Sequence, residues 1–592
     1  MAPFDRIKST FGRSKSSSNA GEDPVQVSTV VDPKDEENPV DQVARNNVAE
    51  DAQRGVQAVE ATTLVWSKGS LAAAFVLMWC VYLVNGFQSN VGGTLQPYAV
   101  SEWNAHSMIT VISVVTNCMM AAVYIPLSKI LDVWGRAEGF VLMAALATTG
   151  MGLMAGSGNL ATYCVANVLW QVGWSGLIYS IDVITADSTK LHNRGLAYAF
   201  TSSPYMITAF AGPKSAEAFL NGPGWRWGFG AFTIILPAVA APMYLLLKWN
   251  LHKAKKRGVL VATHRESEGI LQTLKWGFIE FDIAGSFLFA AGLIIFLVPF
   301  NIAESAPQGW RTPYIIAMIV VGFVLLVLFG LWERFVAPVP FFRYDLLVDR
   351  TVLGVCLLDF VYMIAYSCWA GYFSSFLQVV NNLPPSEAGW IDNTFTIVSG
   401  VLLFLVGWSM SKTGRFKWLL VVGIPLYVFS QGLMIHFRQP GQSIGYLIMC
   451  EVLISIAGAT FILCMQVGLL AAVDHQYVAT GLAVLSVTGS VGGAVGSSIS
   501  GAIWTNTFQA KLADWLPEDA LDNLDYIAGD LSTQLSYPVG SEVRKVIQRA
   551  YGYGQARMLG VGTGVMALAF VTLFMIRNYD LRKMHQTKGT VF

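Results

Sequence analysis

Apolar residues recur along this chain in runs of about twenty, and about twenty helical residues, rising about 1.5 Å each, cross a hydrocarbon core of about 30 Å. The pattern predicts fourteen membrane spans, at 70–89, 107–128, 139–156, 160–182, 195–213, 227–248, 281–300, 312–333, 352–376, 388–409, 417–436, 444–470, 480–504 and 557–576. The fold class is therefore all-α and polytopic, with the lipid bilayer as solvent. The loops between spans repeat. SKILDVWGRAEG (128–139) follows the second span and SKTGRFKW (411–418) the tenth, while ADSTKLHNRGLAYAF (186–200) follows the fourth and VDHQYVATGLAVLS (473–486) the twelfth. Spans one to six thus match spans nine to fourteen, leaving seven and eight as an inserted hairpin. The expected organisation has five parts. They are a disordered tail (1–65), an N-terminal six-helix bundle (66–250), a linker with two inserted helices (251–345), a C-terminal six-helix bundle (346–577) that includes a long outer loop (505–556), and a short tail (578–592).

Composition agrees with this layout. Of 592 residues, 54% are hydrophobic and only 13% charged, too little polar material to cover a soluble surface. The formal net charge is zero and points to no nucleic-acid partner. The distribution of charge is what informs. With a cytosolic N-terminus, Lys and Arg concentrate in the cytosolic loops, above all in LHKAKKRG at 251–258, and both termini are then cytosolic. The 505–556 loop falls outside despite its Lys and Arg residues, as long loops translocate largely regardless of charge. No apolar signal-peptide core follows Met1, so the first span is expected to be the targeting signal, and the Ser-rich, charged opening stretch reads as disordered.

Enzyme chemistry finds no support. The Gly-rich GSVGGAVGSSISG (489–501) lacks the Gly-Lys-Ser/Thr ending of a phosphate loop and lies inside an apolar span. Its small residues Gly489, Gly493, Ser497 and Gly501 recur every four positions, the spacing that lets helices approach closely. No HExxH occurs, and the seven histidines form no metal-spaced cluster, so neither a cofactor nor a metal-ligand set is expected. All seven cysteines fall inside apolar runs, as small core residues do.

An ionisable side chain at membrane depth is costly, so each is a functional candidate. Asp182 ends the fourth span, Asp359 lies in the inner third of the ninth, Asp392 near the outer end of the tenth, and Glu451 in the outer third of the twelfth. A carboxyl that takes up a proton sheds its desolvation cost, so these four are candidate proton carriers. On the ninth span Asp359, Tyr362, Tyr366 and Trp369 fall at i, i+3, i+7 and i+10, on one helical face. The first span adds Asn85 and Gln88, the fourth Asn167, Gln171 and Trp174, the fifth Tyr205 and the eleventh Gln431, while no Arg or Lys sits at mid-span. Such a lining suits a bulky, nearly neutral, amide-rich ligand. The outer loop offers Tyr537, Tyr551 and Tyr553 beside Arg544 and Arg549 as a recognition or capping surface.

The stretch SKILDVWGRAEG resembles the signature loop of the major facilitator superfamily, with Asp132, Gly135 and Arg136 matching and Ser128 standing where that family usually has Gly. The resemblance implies two pseudosymmetric bundles with substrate near the midplane and access alternating between the two sides. It also implies a cytosolic gate, here Asp132, Gly135 and Arg136 joined by Arg194 of the loop after the fourth span. WRWGFGAFTIILP (225–237), FDIAG (281–285), VGGAVGSSISGAIWTN (491–506) and AYGYGQARM (550–558) together resemble the fungal siderophore-iron transporter family over about residues 65 to 580. That resemblance implies a plasma-membrane protein, expected as a monomer, that imports ferric siderophores, most often hydroxamates, with protons. The rival is the fourteen-span drug:proton antiporter branch. Its fifth-helix pattern GxxxGPxxGG is only half kept in AGPKSAEAF (211–219), where Gly212 and Pro213 remain but Ser, Ala and Glu replace the trailing glycines.

Overall fold

The computed structural model describes residues 54–259, 270–338, 348–474 and 477–583. Most of the expected N-terminal tail (1–53), part of the linker (260–269) and the end of the C-terminal tail (584–592) lie outside the described residues. Within them every regular element is a helix. The N-terminal part comprises α1 (Arg54–Val65), α2 (Lys68–Ser101), α3 (Ile109–Val133), α4 (Arg136–Ala155), α5 (Leu160–Asp187), α6 (Arg194–Ser202), α7 (Pro204–Asn221) and α8 (Trp225–Lys256). The insert follows as α9 (Ile270–Glu280), α10 (Ile283–Leu297) and α11 (Pro313–Leu331). The C-terminal part comprises α12 (Arg350–Ala370), α13 (Phe373–Asn381), α14 (Pro385–Asp392), α15 (Thr394–Thr413), α16 (Lys417–Phe437), α17 (Ile444–Ala472), α18 (Val478–Trp515) and α19 (Glu542–Met566).

Helix starts follow local chemistry. Ser67 accepts from the Ser70 amide at 3.2 Å, Asn159 from Thr162 at 2.8 Å and Asp349 from Thr351 at 2.7 Å, each satisfying an amide left over at a helix N-terminus. Pro204, Pro313 and Pro385 open α7, α11 and α14, where a missing N–H costs nothing.

Among the described residues twelve helices are long and apolar enough to cross a membrane, against fourteen predicted spans. The two that fall short are helical all the same. The predicted span 160–182 is α5, whose Asn167, Gln171, Ser175, Ser180 and Asp182 dilute its apolar run. The predicted span 195–213 is split at Ser203, because Pro204 supplies no amide to continue α6 into α7. Residues 54–65, expected as part of a disordered tail, form α1. That helix packs on the turn after α3, where a Cβ on Gly55 would stand 2.3 Å from the Asp132 carbonyl oxygen.

The small-residue stripe of α18 brings three elements close. A Cβ at Gly492 would meet the Phe360 oxygen of α12 at 2.4 Å, and one at Gly493 would meet Asn117 Oδ1 of α3 at 3.0 Å. At Gly501 it would meet Asn301 Oδ1, beyond the end of α10, at 1.6 Å. The insert is fastened to both bundles. Lys129 Nζ of α3 donates to the Glu280 carbonyl at 3.1 Å, and Ser498 Oγ of α18 donates to the Leu297 carbonyl at 3.0 Å.

The expected outer loop is shorter than 505–556. Helix α18 runs on to Trp515, and α19, which no proline interrupts, already begins at Glu542. Between them lie short helices at Leu524–Gly529 and Leu531–Ser536.

Candidate functional site

Between the two bundles lies a cavity of about 280 Å³, lined from the N-terminal side by Tyr82, Asp182, Tyr198 and Tyr205 and from the C-terminal side by Phe395, Ser399 and Gln466, among others. Asp182 is its one ionisable carboxylate. The Tyr82 hydroxyl donates to Asp182 Oδ1 at 2.7 Å, and Gln466 Nε2 of α17 donates to Oδ2 at 3.5 Å. The Tyr198 hydroxyl donates to the Asp182 carbonyl at 3.3 Å, and the Tyr205 ring meets Tyr82 edge-on at 5.5 Å. A carboxylate held by a phenol of one bundle and an amide of the other is sensitive to how the bundles sit. Of the predicted site residues, Asp182 and Tyr205 are here; Tyr82, Tyr198 and Gln466 complete the lining and were not singled out by the sequence.

The cavity is closed at both ends. At the end bearing the Asp132 turn, α6 and α15 touch backbone to backbone: a Cβ on Gly407 would stand 2.9 Å from the Gly195 carbonyl carbon. The Tyr179 hydroxyl also donates to the Ala479 carbonyl across the same seam, at 2.5 Å. At the opposite end, which carries the outer loop, His106 Nε2 pairs with Ser375 Oγ at 2.9 Å, and the Tyr98 hydroxyl donates to Gln378 Oε1. Tyr372, at the break between α12 and α13, has a left-handed backbone (φ 57) and donates to the Ser107 carbonyl at 3.1 Å. A bulky residue in that region costs about 1–2 kcal/mol, and stacking on Trp504 at 4.2 Å helps hold it there.

The expected gate residues converge on one buried lock. Arg136 Nη1 meets Asp132 at 2.6 Å and Arg136 Nε meets Asp187 at 3.0 Å, all three being under a tenth exposed. Asp187, at the end of α5, is the partner that the sequence did not single out. Gly135 has φ 127, a conformation that lets the chain turn from α3 into α4 and that a side chain would strain. Arg194 is fully buried at the start of α6, with Asp187 and Tyr198 as electrostatic neighbours.

The remaining candidates sit elsewhere. Asn85 and Gln88 are buried and bonded to each other at 3.1 Å, and Trp174 Nε1 donates to the Asn85 carbonyl. Gln171 and Trp174 line a second cavity of about 120 Å³ between α2, α3 and α5, nearer the outer-loop end. The ninth-span stripe packs mainly inside the C-terminal bundle. Trp369 Nε1 donates to the Tyr427 hydroxyl at 3.2 Å and the Tyr362 ring contacts Phe461 at 5.3 Å, while Tyr366 and Trp369 also pack against Phe395 of the central cavity, at 5.9 and 6.2 Å. Asp359 rests against Gly489, whose Cβ would come within 2.4 Å of its Oδ2. Gln431 donates to the Ala365 carbonyl at 3.2 Å within the same bundle.

Glu451 is completely buried, and neither of its oxygens has a hydrogen-bond partner among the described residues. Its charged neighbours are Asp392 and Arg438. Arg438, just past the end of α16, is also fully buried, donates to the Trp369 carbonyl and lies 4.0 Å over the Phe373 ring. The C-terminal bundle therefore does contain a deeply buried cation, carried in at a helix end rather than at mid-span. In the outer loop Tyr551 is fully buried, donating to Gln534 Oε1 at 2.8 Å and packing edge-on against Trp504. Tyr553 lies under the Arg557 guanidinium at 3.4 Å, and Tyr537 is half-buried.

The sequence profile of the Major Facilitator Superfamily matches residues 355–510. The chain is 56% identical over 540 residues to the siderophore iron transporter mirB of Emericella nidulans, covering 91% of this chain and 89% of that protein. It is 52% identical over 544 residues to the MFS siderochrome iron transporter 1 of Gibberella zeae, covering 92% and 89%. Among solved structures, it is similar to a bacterial homologue of the human lysosomal transporter Spinster in its inward-facing, unoccupied conformation, with a TM-score of 0.54 and 13% identity over 86% of this chain and 98% of that one. The proton:xylose symporter XylE bound to 6-bromo-6-deoxy-D-glucose gives a TM-score of 0.50 and 13% identity over 87% and 98%. At that identity these two likenesses establish the fold. The curated relatives are transporters rather than enzymes, and with such identity across nine-tenths of its length the chain belongs to the fungal siderophore-iron transporter family of the major facilitator superfamily.

Proposed function

We propose that this protein imports ferric siderophores of the hydroxamate type across the plasma membrane, together with protons, by alternating access. The observation that carries the reading is the placement of Asp182. It is the one carboxylate in the cavity between the bundles, bonded to Tyr82 on one side and Gln466 on the other. A group so placed takes up a proton when its partners separate and releases it when they return, which ties proton movement to rocking of the bundles. The surrounding phenols, amide and phenyl ring offer apolar faces with single hydrogen-bonding groups and no strong fixed charge, matching a neutral chelate. A cavity of about 280 Å³ is at the lower limit for ligand pockets, so a bulky chelate enters only when one of the two end seals opens.

The proposal includes fourteen crossings, both termini in the cytosol and a monomer as the working unit. Packing supports α5 and the α6–α7 pair as crossings, since α5 lies against α3 and α4, and α7 against α2, all helices that meet the requirements for spanning. Glu451, Asp392 and Asp359 remain candidates for a second proton site in the C-terminal bundle.

Uptake of a radiolabelled ferric trihydroxamate by iron-starved cells expressing only this transporter, with and without a protonophore, tests the reading. Accumulation that collapses with the protonophore is expected. Accumulation that ignores it removes proton coupling, and no accumulation with any siderophore, accompanied by new drug resistance, replaces import by efflux.

A further inference from the structure

The second cavity, of about 120 Å³, differs from the first in kind. No ionisable side chain lines it; its polar groups include Gln96 of α2, Thr116 and Asn117 of α3, and Gln171 of α5, with the Trp174 ring beside them. Thr116 is only 5% exposed and its hydroxyl has no hydrogen-bond partner among the described residues, although a buried hydroxyl left unsatisfied costs about 1–3 kcal/mol. The carboxamides of Gln96 and Gln171 make no hydrogen bond among the described residues. Asn117 donates to the Ser113 carbonyl at 2.9 Å, and its Oδ1 faces Gly493 of α18, where any side chain would crowd it. The Trp174 N–H is already given to the Asn85 carbonyl at 3.1 Å, which leaves its ring surface for contact. Uncommitted amides and a hydroxyl, held in a charge-free pocket at membrane depth, offer both donors and acceptors and favour a ligand that does the same without charge.

Helix α2 joins the two cavities. Tyr82 lines the lower one and Gln96 the upper, on nearly the same helical face and about 21 Å apart along the axis. The upper cavity lies between the Asp182 cavity and the outer seal made by Tyr98 and His106, and it holds about four waters' volume in this closed state.

We infer that the Gln96–Thr116–Asn117–Gln171 pocket is a subsite for the organic arms of the substrate, reading their neutral amide or hydroxyl groups while the iron-bearing centre occupies the Asp182 cavity. The inference rests on the import reading above and assigns to Gln96, Thr116 and Asn117 a part in discriminating among chelates with the same iron ligands.

The test compares two ferric trihydroxamates of similar size, one with a peptide backbone and one whose backbone amides are replaced by hydrocarbon, in uptake by cells carrying the parent protein, T116V, Q96L or the double variant. For the amide-bearing chelate, KM is expected to rise about tenfold in the double variant, the equivalent of two ordinary hydrogen bonds, with unchanged surface abundance and recovery in T116S. KM for the amide-free chelate is expected to stay within about twofold. Equal shifts for both chelates, or none for either, overturn the subsite while leaving import intact. Absence of uptake of both by the parent protein overturns the import reading and the subsite with it.

Discussion

The Tyr82 hydroxyl and the Asp182 carboxylate, from the first and fourth long helices of the N-terminal part, α2 and α5, are 2.7 Å apart at the wall of the central cavity. If Asp182 carries the proton, D182N removes the ionisable group while keeping the shape, and transport should lose its dependence on the proton gradient altogether. Y82F deletes one bond worth about 1 kcal/mol and should slow uptake several-fold without uncoupling it. Initial uptake rates with and without a protonophore, normalised to surface protein, distinguish the two. Gradient-dependent uptake by D182N at the parent rate would remove Asp182 from the mechanism.

Arg136 is the only cation bonded to both Asp132 and Asp187 among the described residues. Replacing it by methionine takes from two buried carboxylates their hydrogen-bonded counter-charge, at a cost of about 3–5 kcal/mol, whereas D132N keeps one pair and should cost less. Thermal unfolding of the detergent-solubilised protein should show R136M clearly below D132N. The reverse order would contradict the lock as drawn.

Arg438 makes a parallel case in the other bundle, where Glu451 and Asp392 are its neighbours and Trp369 its backbone acceptor. R438M should lower both the folded yield and uptake. A second replacement, E451Q, should restore part of the stability, because it removes one of the stranded charges. Simple additivity of the two changes in a double-mutant cycle would show that the residues do not interact.

Outside the spans, Glu102 receives Arg226 at 3.0 Å and the Trp225 N–H at 2.8 Å. The Arg226 hydrogen bonds, aided by Trp225, hold its carboxyl below the usual range. A depressed value means a stabilising contribution that is complete above the unfolded pKa of about 4.3 and is lost as pH falls through the folded value. The pair is partly exposed, so its worth is about 1 kcal/mol or less. Between pH 6 and pH 3 the parent should lose slightly more thermal stability than E102Q, and equal losses would dismiss the contribution.

The twelve apolar helices and the Asp132–Arg136 turn were legible because each has a local signature in apolar run length or charged turn. Asp182 was legible as an acid inside a membrane helix. Gln466 was not: a neutral amide carries no charge to mark it, and its meaning comes from a contact across the bundle seam. The face formed by Tyr362, Tyr366 and Trp369 was read correctly as a face. Helical periodicity cannot say which neighbour a face meets, and Tyr427 and Phe461 of the same bundle meet most of it. Span counting met its limit in α5, whose polar residues leave it outside the twelve described helices apolar enough to cross a membrane.

The contact between Gly195 and Gly407 has a practical corollary. Since that closure is made by main chain on both helices, no side chain exists there to truncate, and an alanine scan would enlarge the residues where it usually shrinks them. At this contact, variants caught in one orientation are therefore better sought by adding bulk to either glycine than by truncation.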